Sequence, residues 1–382
     1  MDVVSFWLVI ITLLLFIGYA ILIAYYHKGW RRTPEFFPDE NFSANLKVGV
    51  IIPARNEEKS IGACLNSLVN QSYPKNLLEI IVIDDHSTDS TPKIVKSFSE
   101  HTIRLISLVD HVDTEINSYK KKAIEIAINS SNADWIITTD ADSIASPQWI
   151  ESMMAFQKSS GAELIAAPVK LMSKNNLLEI FQLLDFITLQ GITAAAVNRK
   201  FHVMGNGANL GYSKKSFVEV DGFRGIDDLA SGDDMLLMQK IKDKYPDKIF
   251  YLKSKAAIIE VAPAHTWREF WQQRIRWASK ADKYDDRKLL FVLLMVYMLN
   301  FLLLAMFVLC FWNPDLFLAL LMLFLCKTLV EFPFVNEVAG FFGERKRMIY
   351  FIFMQPLHIL YTVIAGFLGK FGKYEWKGRI VK

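Results

Sequence analysis

Two hydrophobic patterns divide this chain. Near its ends, apolar residues run without Asp, Glu, Lys or Arg over residues 3–26, 289–312 and 348–368, and a bilayer crossing needs about 20 such residues. From residue 47 to residue 137, short apolar runs alternate between strand-like and helix-like spacing. That alternation predicts a mostly parallel sheet flanked by helices, hence an α/β domain with flanking transmembrane helices.

The first apolar segment is predicted to be a membrane anchor at residues 1–27. A signal peptide is the alternative, but the start carries Asp2, the run is long, and no small-residue cleavage site follows. Instead, aromatic residues and then Lys28, Arg31 and Arg32 follow, a pattern typical of a membrane interface and its cytoplasmic flank. A linker is expected at 28–45 and the α/β domain at 46–285.

The C-terminal region, 286–382, is predicted to hold two or three spans and a basic tail. Its apolar stretch at 316–330 is short, with Lys327 inside it and Glu331 directly after it. This stretch either spans the bilayer with Lys327 snorkelling to the surface or is re-entrant, and the sequence leaves both open.

Charge and cysteine content bear on the binding partners and the cellular compartment of the protein. The chain has 382 residues, 52% of them hydrophobic, and a net charge of +3, which gives no indication of a nucleic-acid partner. Its three cysteines, Cys64, Cys310 and Cys326, have neither a disulfide nor a metal-binding spacing, which fits a reducing, cytosolic compartment.

Polar residues gather where predicted strands end. Asp140 and Asp142, one residue apart, follow the apolar run 134–137, and two such carboxylates attract a divalent cation, although a solvated turn is the alternative. Two earlier strands end in the stretches IIPARNEE, residues 51–58, and DDHSTDST, residues 84–91. In a parallel sheet these three tips meet at one edge, where ligands bind.

Three downstream stretches carry further candidates. The glycines of 205–211 allow either close approach of backbone to a ligand or a hairpin turn, and Asp233 and Asp234 precede a predicted helix, where a carboxylate is commonly a cap. Thr266 and Glu269 fit a capping box. The helix that they begin places Gln273, Arg276 and Trp277 on one face. Arg274 lies on another face, and its loss is expected to harm turnover less. The alternative is an amphipathic helix that only touches lipid headgroups.

These motifs, in this order, resemble those of membrane-bound, inverting family 2 glycosyltransferases with a GT-A fold. The resemblance covers about residues 48–277 with the flanking helices, and its parts are IIPARNEE, DDHSTDST, DAD at 140–142, GDD at 232–234 and QRIRW at 273–277. Two positions depart from the family pattern: His86 stands where Gly is usual, and Asp233 replaces the commoner Glu.

The resemblance implies roles for matching positions. The nucleotide would be contacted by Pro53, Ala54, Arg55, Glu57, Asp84 and Asp85, with Lys122 near it. The donor diphosphate and its Mg or Mn ion would be held by Asp140, Ala141 and Asp142, with Asp142 and Asp140 as metal ligands. Asp234, beside Asp233, would be the general base, while Gln273, Arg276 and Trp277 would hold diphosphate and acceptor.

Three functions remain open. The favoured one is transfer of one sugar from a nucleotide-diphosphate sugar to a membrane lipid. A processive polysaccharide synthase shares every motif but needs a membrane channel, and a non-catalytic nucleotide-sugar or glycan binder would not need the acidic residues. Since nucleotide sugars are cytosolic, the catalytic domain is expected on the cytoplasmic side of the cell (inner) membrane. The loop 344–347 and the C-terminal tail are both basic. Depending on how many C-terminal segments span the membrane, one of the two is expected on the outside, against the positive-inside bias.

Overall fold

The computed structural model describes residues 2–39, 42–98, 103–111, 118–174, 176–227, 229, 232–280, 286–372, 374–376 and 379–381. The chain divides into two compact units. The sheet unit comprises Thr33–Met172 and Val203–Ala262, and the helical unit comprises Met1–Arg32, Ser173–His202 and Pro263–Lys382. The sequence analysis defined the catalytic domain, residues 46–285, by its motifs, whereas these two units are defined by packing. The limits of the catalytic domain therefore stay a prediction.

The elements follow in chain order. The strands are β1 (Val48–Ala54), β2 (Leu78–Asp84), β3 (Ile103–Ser107), β4 (Trp135–Thr138), β5 (Ile144–Ala145), β6 (Leu164–Ala166), β7 (Val169–Leu171), β8 (Leu210–Ser213), β9 (Ile249–Tyr251), β10 (Ile259–Val261), β11 (Tyr374–Trp376) and β12 (Arg379–Val381). The helices are α1 (Val3–Arg32), α2 (Ile61–Val69), α3 (Thr91–Lys96), α4 (Tyr119–Ser130), α5 (Trp149–Ser160), α6 (Leu177–Asn198), α7 (Lys214–Glu219), α8 (Met235–Lys244), α9 (Trp267–Ala278), α10 (Arg287–Leu309), α11 (Leu316–Phe341) and α12 (Phe351–Phe371).

The sheet unit contains a seven-stranded sheet of order β3-β2-β1-β4-β8-β6-β9. Its first four strands are parallel, and β8 is antiparallel to both β4 and β6. The central strands β1 and β2 are almost wholly buried, as expected for the continuous Val and Ile runs of parallel strands. The α/β prediction is confirmed.

The register of the parallel strands positions the functional edge. Ala54, the last residue of β1, lies opposite Asp84, the last residue of β2. On the other side of β1, Ile51 lies opposite Thr138 at the end of β4. The carboxyl ends of β1, β2 and β4 therefore share one edge, as the sequence predicted.

Among the residues that the structure describes, the helical unit holds five helical segments long and apolar enough to cross a bilayer: Val3–Arg32, Leu177–Asn198, Arg287–Leu309, Leu316–Phe341 and Arg345–Phe371. The sequence analysis missed the second, α6, because polar residues such as Gln182 and Asp185 interrupt its apolar run. In the structure both side chains are buried, so α6 is a mostly internal helix.

Three helices of this unit, α1, α10 and α11, lie along a common axis. Near the C-terminal ends of α1 and α11, Arg31 Nε donates to Glu337 Oε1 at 2.9 Å. At the opposite end, Asn313, which follows α10, donates to Asp2 Oδ2 at 3.1 Å. Therefore α1 and α11 run in the same direction, and α10 runs antiparallel to them.

The middle of this bundle is marked by two contacts of neighbouring α1 residues. Tyr19 donates its hydroxyl proton to Glu331 of α11. A Cβ atom placed on Gly18 would lie 3.6 Å from Met295 Sδ of α10. Glu331 and Met295 therefore lie at the same level along the bundle.

Helix α12 crosses the bundle near this level. Near its start, Gln355 Nε2 donates to Glu331 Oε2 at 2.7 Å. Gly366 lies roughly 16 Å further along α12, and a Cβ there would lie 2.7 Å from the ring of Tyr297 of α10. Tyr297 is only two residues from Met295, which lies at the level of Glu331. Since both points contact nearly the same level, α12 runs across α10 and α11 rather than beside them.

Lys327 corrects one prediction. Its ammonium does not snorkel to the surface: the side chain is fully buried, with Nζ 2.7 Å from Glu331 Oε1 and 2.7 Å from Gln355 Oε1. An ion pair one helical turn apart and a side-chain amide satisfy the charge internally. The helix is continuous from Leu316 to Phe341, which favours a span over a re-entrant segment.

Candidate active site

The two acidic residues after β4 lie at the tip predicted for them. Asp140 and Asp142 are half-exposed, whereas Ala141 between them is buried. The backbone turns here, with Ser143 N donating to Asp140 O at 3.1 Å. Both carboxylates are thus accessible at one edge of the sheet.

The turn Gly207–Asn209 is anchored beside this tip. Buried Asn209 donates its amide to the carbonyls of Pro168 and Ala257, both at 2.8 Å. The Thr139 hydroxyl donates to a carbonyl of the turn at 2.9 Å. This stretch forms a short turn rather than a hairpin, and close approach of its backbone to a ligand stays a prediction.

Lys120, at the start of α4, joins two acidic stretches that lie far apart in sequence. Its Nζ is 3.0 Å from Asp140 Oδ1 and 3.1 Å from Asp233 Oδ2. A Cβ on Gly207 would lie 3.3 Å from Asp233 Oδ2 and 3.5 Å from Lys120 Nζ, so glycine lets the turn come this close. Burial by itself would lower the pKa of Lys120, but Asp140, Asp233 and Asp234 outweigh it and raise the pKa.

Lys120 begins a run of three lysines with three different environments. Lys121 is buried and donates to the backbone carbonyls of Ile226 and Leu229. Lys122, the residue named from the sequence, pairs with Glu125 on the same helix at 2.9 Å. The sequence analysis missed Lys120, because only the helix position distinguishes it from its neighbours, and the role given to Lys122 stays a prediction.

Asp233 and Asp234 differ in their surroundings. Asp233 is buried against Lys120, and Asp234 is the half-exposed N-cap of α8. Asp234 accepts from Met235 N at 2.8 Å and, through Oδ2, from Gly207 N at 3.2 Å. Asp234 therefore is a helix cap, as the alternative interpretation held. In this position its carboxylate also lies next to Gly207, close to Lys120 and Asp233.

The loops after β1 and β2 interlock. Asn56 bonds to two residues of the loop after β2: its N donates to Ser87 Oγ at 2.9 Å, and its Oδ1 accepts from Thr88 N at 2.8 Å. Glu57 N donates to Thr91 Oγ1 at 2.8 Å. His86 has a φ of +56°, the left-handed conformation that explains why glycine suits this position.

His86 compensates for this backbone conformation with a contact. Its Nδ1 lies 2.8 Å from Asp85 Oδ1, and Arg55 Nη1 donates to Asp85 O at 3.1 Å. Asp84 is different: it is buried, and its Oδ1 has no hydrogen-bond partner among the described residues. Pro53 and Ala54 are the last residues of β1, next to this pair.

The last motif lies in the helical unit, on α9. The helix begins as predicted, with Thr266 Oγ1 accepting from Glu269 N at 3.2 Å, although the Glu269 carboxylate accepts from His265 N. Three motif residues, Gln273, Arg276 and Trp277, are half-buried.

Arg274 has a packing role that the sequence analysis did not predict, whereas its expected smaller effect on turnover stays a prediction. It is 3% exposed, and its Nη2 lies 2.8 Å from Asp185 Oδ2 of α6. Its guanidinium also lies 4.3 Å from the Trp277 ring, and Tyr361 of α12 donates to Asp185 Oδ1 at 2.6 Å. Arg274 thus joins α9 to α6 and supports a residue of the motif.

The donor set at the DAD tip fits a hard divalent cation. No group of three or more His, Cys, Asp or Glu side chains suited to a metal occurs among the described residues. Burial, reinforced by Asp142, raises the pKa of the Cys64 thiol to about 12, which disfavours a thiolate at this tip. Two accessible carboxylates suit Mg²⁺ or Mn²⁺, since such ions take remaining ligands from phosphate and water.

Comparison with known proteins agrees with this arrangement. Residues 135–368 match the model described as glycosyl transferase family group 2, and residues 49–208 match that of glycosyl transferase family 2. The chain belongs to glycosyltransferase family 2. The first match runs from β4 into α12, so the family assignment includes the helical unit.

Relatives of this family 2 glycosyltransferase are distant. It is 30% identical over 255 residues to a probable glycosyltransferase, YdaM, of Bacillus subtilis, covering 66% of this chain and 59% of the relative. It is 32% identical over 123 residues to glycosyltransferase AglE of Haloferax volcanii, covering 32% and 39%. The matches therefore span less than two thirds of these relatives.

One solved structure shows the same GT-A fold. It is a mannosyltransferase of Pyrobaculum calidifontis in complex with GDP-Man and Mn²⁺, with a TM-score of 0.58 and 17% identity. The comparison covers 94% of this chain and 98% of that one.

Proposed function

We propose that this protein transfers a sugar, with inversion, from a nucleotide-diphosphate sugar to a lipid acceptor in the membrane. The convergence of Asp140, Asp233 and Asp234 around Lys120 at the carboxyl edge of the sheet supports this most strongly. A purely nucleotide-binding protein would not need a second pair of acidic residues beside the donor carboxylates.

The nucleotide would lie over the ends of β1 and β2. Asp84 offers a buried carboxylate oxygen that lacks a protein donor among the described residues, and such an atom suits an N–H of a base or a hydroxyl of ribose. Arg55 and His86 already hold Asp85, so Asp85 would shape the pocket. The interlocked loops keep both residues in place.

The diphosphate would lie at the DAD tip. Asp142 and Asp140 would hold Mg²⁺ or Mn²⁺, which would offset the charge of the leaving diphosphate. Lys120, already beside Asp140, would add a positive charge close to the same group. Arg276, with Gln273 and Trp277, is proposed to contact diphosphate and acceptor from α9.

The transfer is a single displacement. The acceptor hydroxyl oxygen forms a bond to the anomeric carbon, while the bond from that carbon to the diphosphate oxygen breaks and its electron pair stays on the diphosphate. Asp234 takes the hydroxyl proton. Asp234 is favoured over Asp233 as the base because it is the more exposed of the two and Asp233 is engaged by Lys120.

The acceptor is proposed to be a lipid that receives one sugar. The middle of the bundle formed by α1, α10 and α11 is occupied by packed polar side chains from Tyr19, Lys327, Glu331 and Gln355. A processive synthase would need a channel for its polymer, and these contacts leave that level of the bundle closed. Single addition therefore agrees better with the helical unit.

The proposed location is the cytoplasmic face of the inner membrane. With α12 crossing the bundle, both of its flanks can lie at the end where α1 finishes. The basic loop 344–347 and the basic tail then share one side with Arg31 and Arg32, and the positive-inside bias is met everywhere.

The test is incubation of the full-length protein, purified in native lipid, with a panel of nucleotide sugars. Released nucleoside diphosphate and radiolabelled lipid product are both scored. Lipid product from one donor supports the proposal, and a ladder of growing product would favour the processive alternative. Nucleotide binding without turnover of any donor would make the protein a binder.

A further inference from the structure

A basic and aromatic surface lies in the helical unit where α1 ends, α6 ends and α10 begins. We call it the basic patch, and it consists of Tyr25, Lys28, Arg32, Arg199, Lys200, Phe201, Arg287 and Lys288. Its lysines, together with Arg32 and Arg287, are exposed, whereas Arg199 and the two rings are half-buried. The mechanism proposed above uses none of these residues.

The patch is a packed assembly of three chain segments. The Arg199 guanidinium lies 4.6 Å from the centroid of the Tyr25 ring, and the Lys288 ammonium lies 5.8 Å from the Phe201 ring. The two rings are themselves 5.3 Å apart in an edge-to-face arrangement. Cations over aromatic faces are held in position by the ring quadrupole.

Gly29 explains how α1 and α6 come so close here. A Cβ at this position would lie 2.9 Å from Ala195 Cβ and 3.0 Å from Arg199 Cγ, so a side chain here would force its neighbours to shift. The aliphatic stem of Arg199 therefore rests on α1 at Gly29, and its guanidinium lies over Tyr25, one turn earlier in α1.

Two acidic residues next to the patch in sequence or structure, Asp286 and Glu337, have partners of their own. Asp286 caps α10, accepting from Lys288 N at 3.0 Å and Leu289 N at 3.3 Å. Glu337 is bound by Arg31 and by His27, neither of which belongs to the patch.

We propose that the basic patch binds the headgroups of anionic phospholipids in the leaflet that faces the end of α1. The proposal rests on the membrane location proposed above. Aromatic rings at the ends of apolar helices lie at headgroup depth, and clusters of Lys and Arg at that depth attract anionic lipid. Lipid bound there would fix the depth in the membrane of the end of α1, the end of α6 and the start of α10.

The experiment uses the full chain in mild detergent with phosphatidylglycerol or phosphatidylcholine added, and native mass spectrometry counts retained lipid. The variant is Lys28→Gln/Arg32→Gln/Lys288→Gln, which changes three exposed side chains of the patch. The matched control, Lys93→Gln/Lys96→Gln/Lys215→Gln, removes the same charge from exposed positions of the sheet unit. Thermal unfolding confirms that both variants are folded.

Wild type and control should retain phosphatidylglycerol in preference to phosphatidylcholine. The patch variant should bind it on the order of 100-fold more weakly, because each basic residue near an anionic surface contributes about fivefold. Equal retention by the patch variant would overturn the proposal, and so would displacement of the lipid by millimolar inorganic phosphate, which would indicate a site for free anions. Neither readout needs sugar transfer, so failure here is distinct from failure of the proposed activity.

Discussion

The ammonium of Lys120 lies 3.1 Å from the buried carboxylate of Asp233, although 113 positions separate them in the chain. The same ammonium is 3.0 Å from Asp140. One cation therefore holds together the acidic residues that follow β4 and those that precede α8. Without it, Asp140, Asp233 and Asp234 would repel one another.

Replacing Lys120 with Met should lower sugar transfer by about 100-fold, the scale for removing one electrostatic contact at a reacting group. Lys122→Met is the matched control, because Lys122 pairs only with Glu125 among the contacts described for it, and it should stay near wild type. Transfer rates of both variants decide the matter. A larger loss at Lys122 would restore the sequence-based assignment.

Chelation should abolish transfer, and Mg²⁺ or Mn²⁺ should restore it, since Asp140 and Asp142 present two accessible carboxylates at one strand tip. Asp142→Asn should weaken metal binding, raising the cation concentration needed for half-maximal rate. The check is a metal titration of both proteins. Undiminished turnover in chelator would exclude a metal role for this tip.

Asp234→Asn should still bind nucleoside diphosphate but lose transfer by roughly 100-fold or more, the usual scale for a missing general base. Asp233→Asn should be milder, because its main partner is Lys120. Calorimetry of nucleotide binding beside transfer rates separates the two. The reverse order of losses would make Asp233 the base, and normal transfer in both would leave this pair as a helix cap.

Arg274→Met should destabilise the protein by about 3–5 kcal/mol, because it leaves the buried Asp185 carboxylate without its cation. Arg276 is half-buried on α9, so the Arg276→Ala variant should keep the thermal stability of the wild type but lose sugar transfer. The double change Asp185→Leu/Arg274→Met should recover most of the stability lost in Arg274→Met, as replaced buried pairs often do. If Arg274→Met unfolded at the wild-type temperature, the ion pair would have no structural role.

The path of α12 predicts the side of the membrane on which the chain ends. In a background without native cysteines, Lys370→Cys should react with an impermeant thiol reagent from the same side as Lys28→Cys. Pro314→Cys, in the exposed connection between α10 and α11, should react from the opposite side. Labelling of intact and inverted vesicles measures this. Reaction of Lys370→Cys together with Pro314→Cys would make α12 a full span.

By itself, the sequence determined the α/β class, the shared edge of β1, β2 and β4, and the helix starts at Asp234 and Thr266. These follow from local causes: apolar runs of strand length, carboxylates at strand ends, and capping side chains, all of which act over a few residues. The order of the motifs along the chain also identified the family, because each motif is a short run of consecutive residues.

Only the tertiary structure decided which of three consecutive lysines serves the acidic cluster. Neighbouring helix positions point about 100° apart, so a one-residue difference decides whether the charge meets Asp140 and Asp233, two backbone carbonyls or Glu125. Likewise, Arg274 and Lys327 read as surface charges in sequence, yet each is buried with an acid on its own or another helix. Pairing between distant residues is a property of packing, and no local pattern records it.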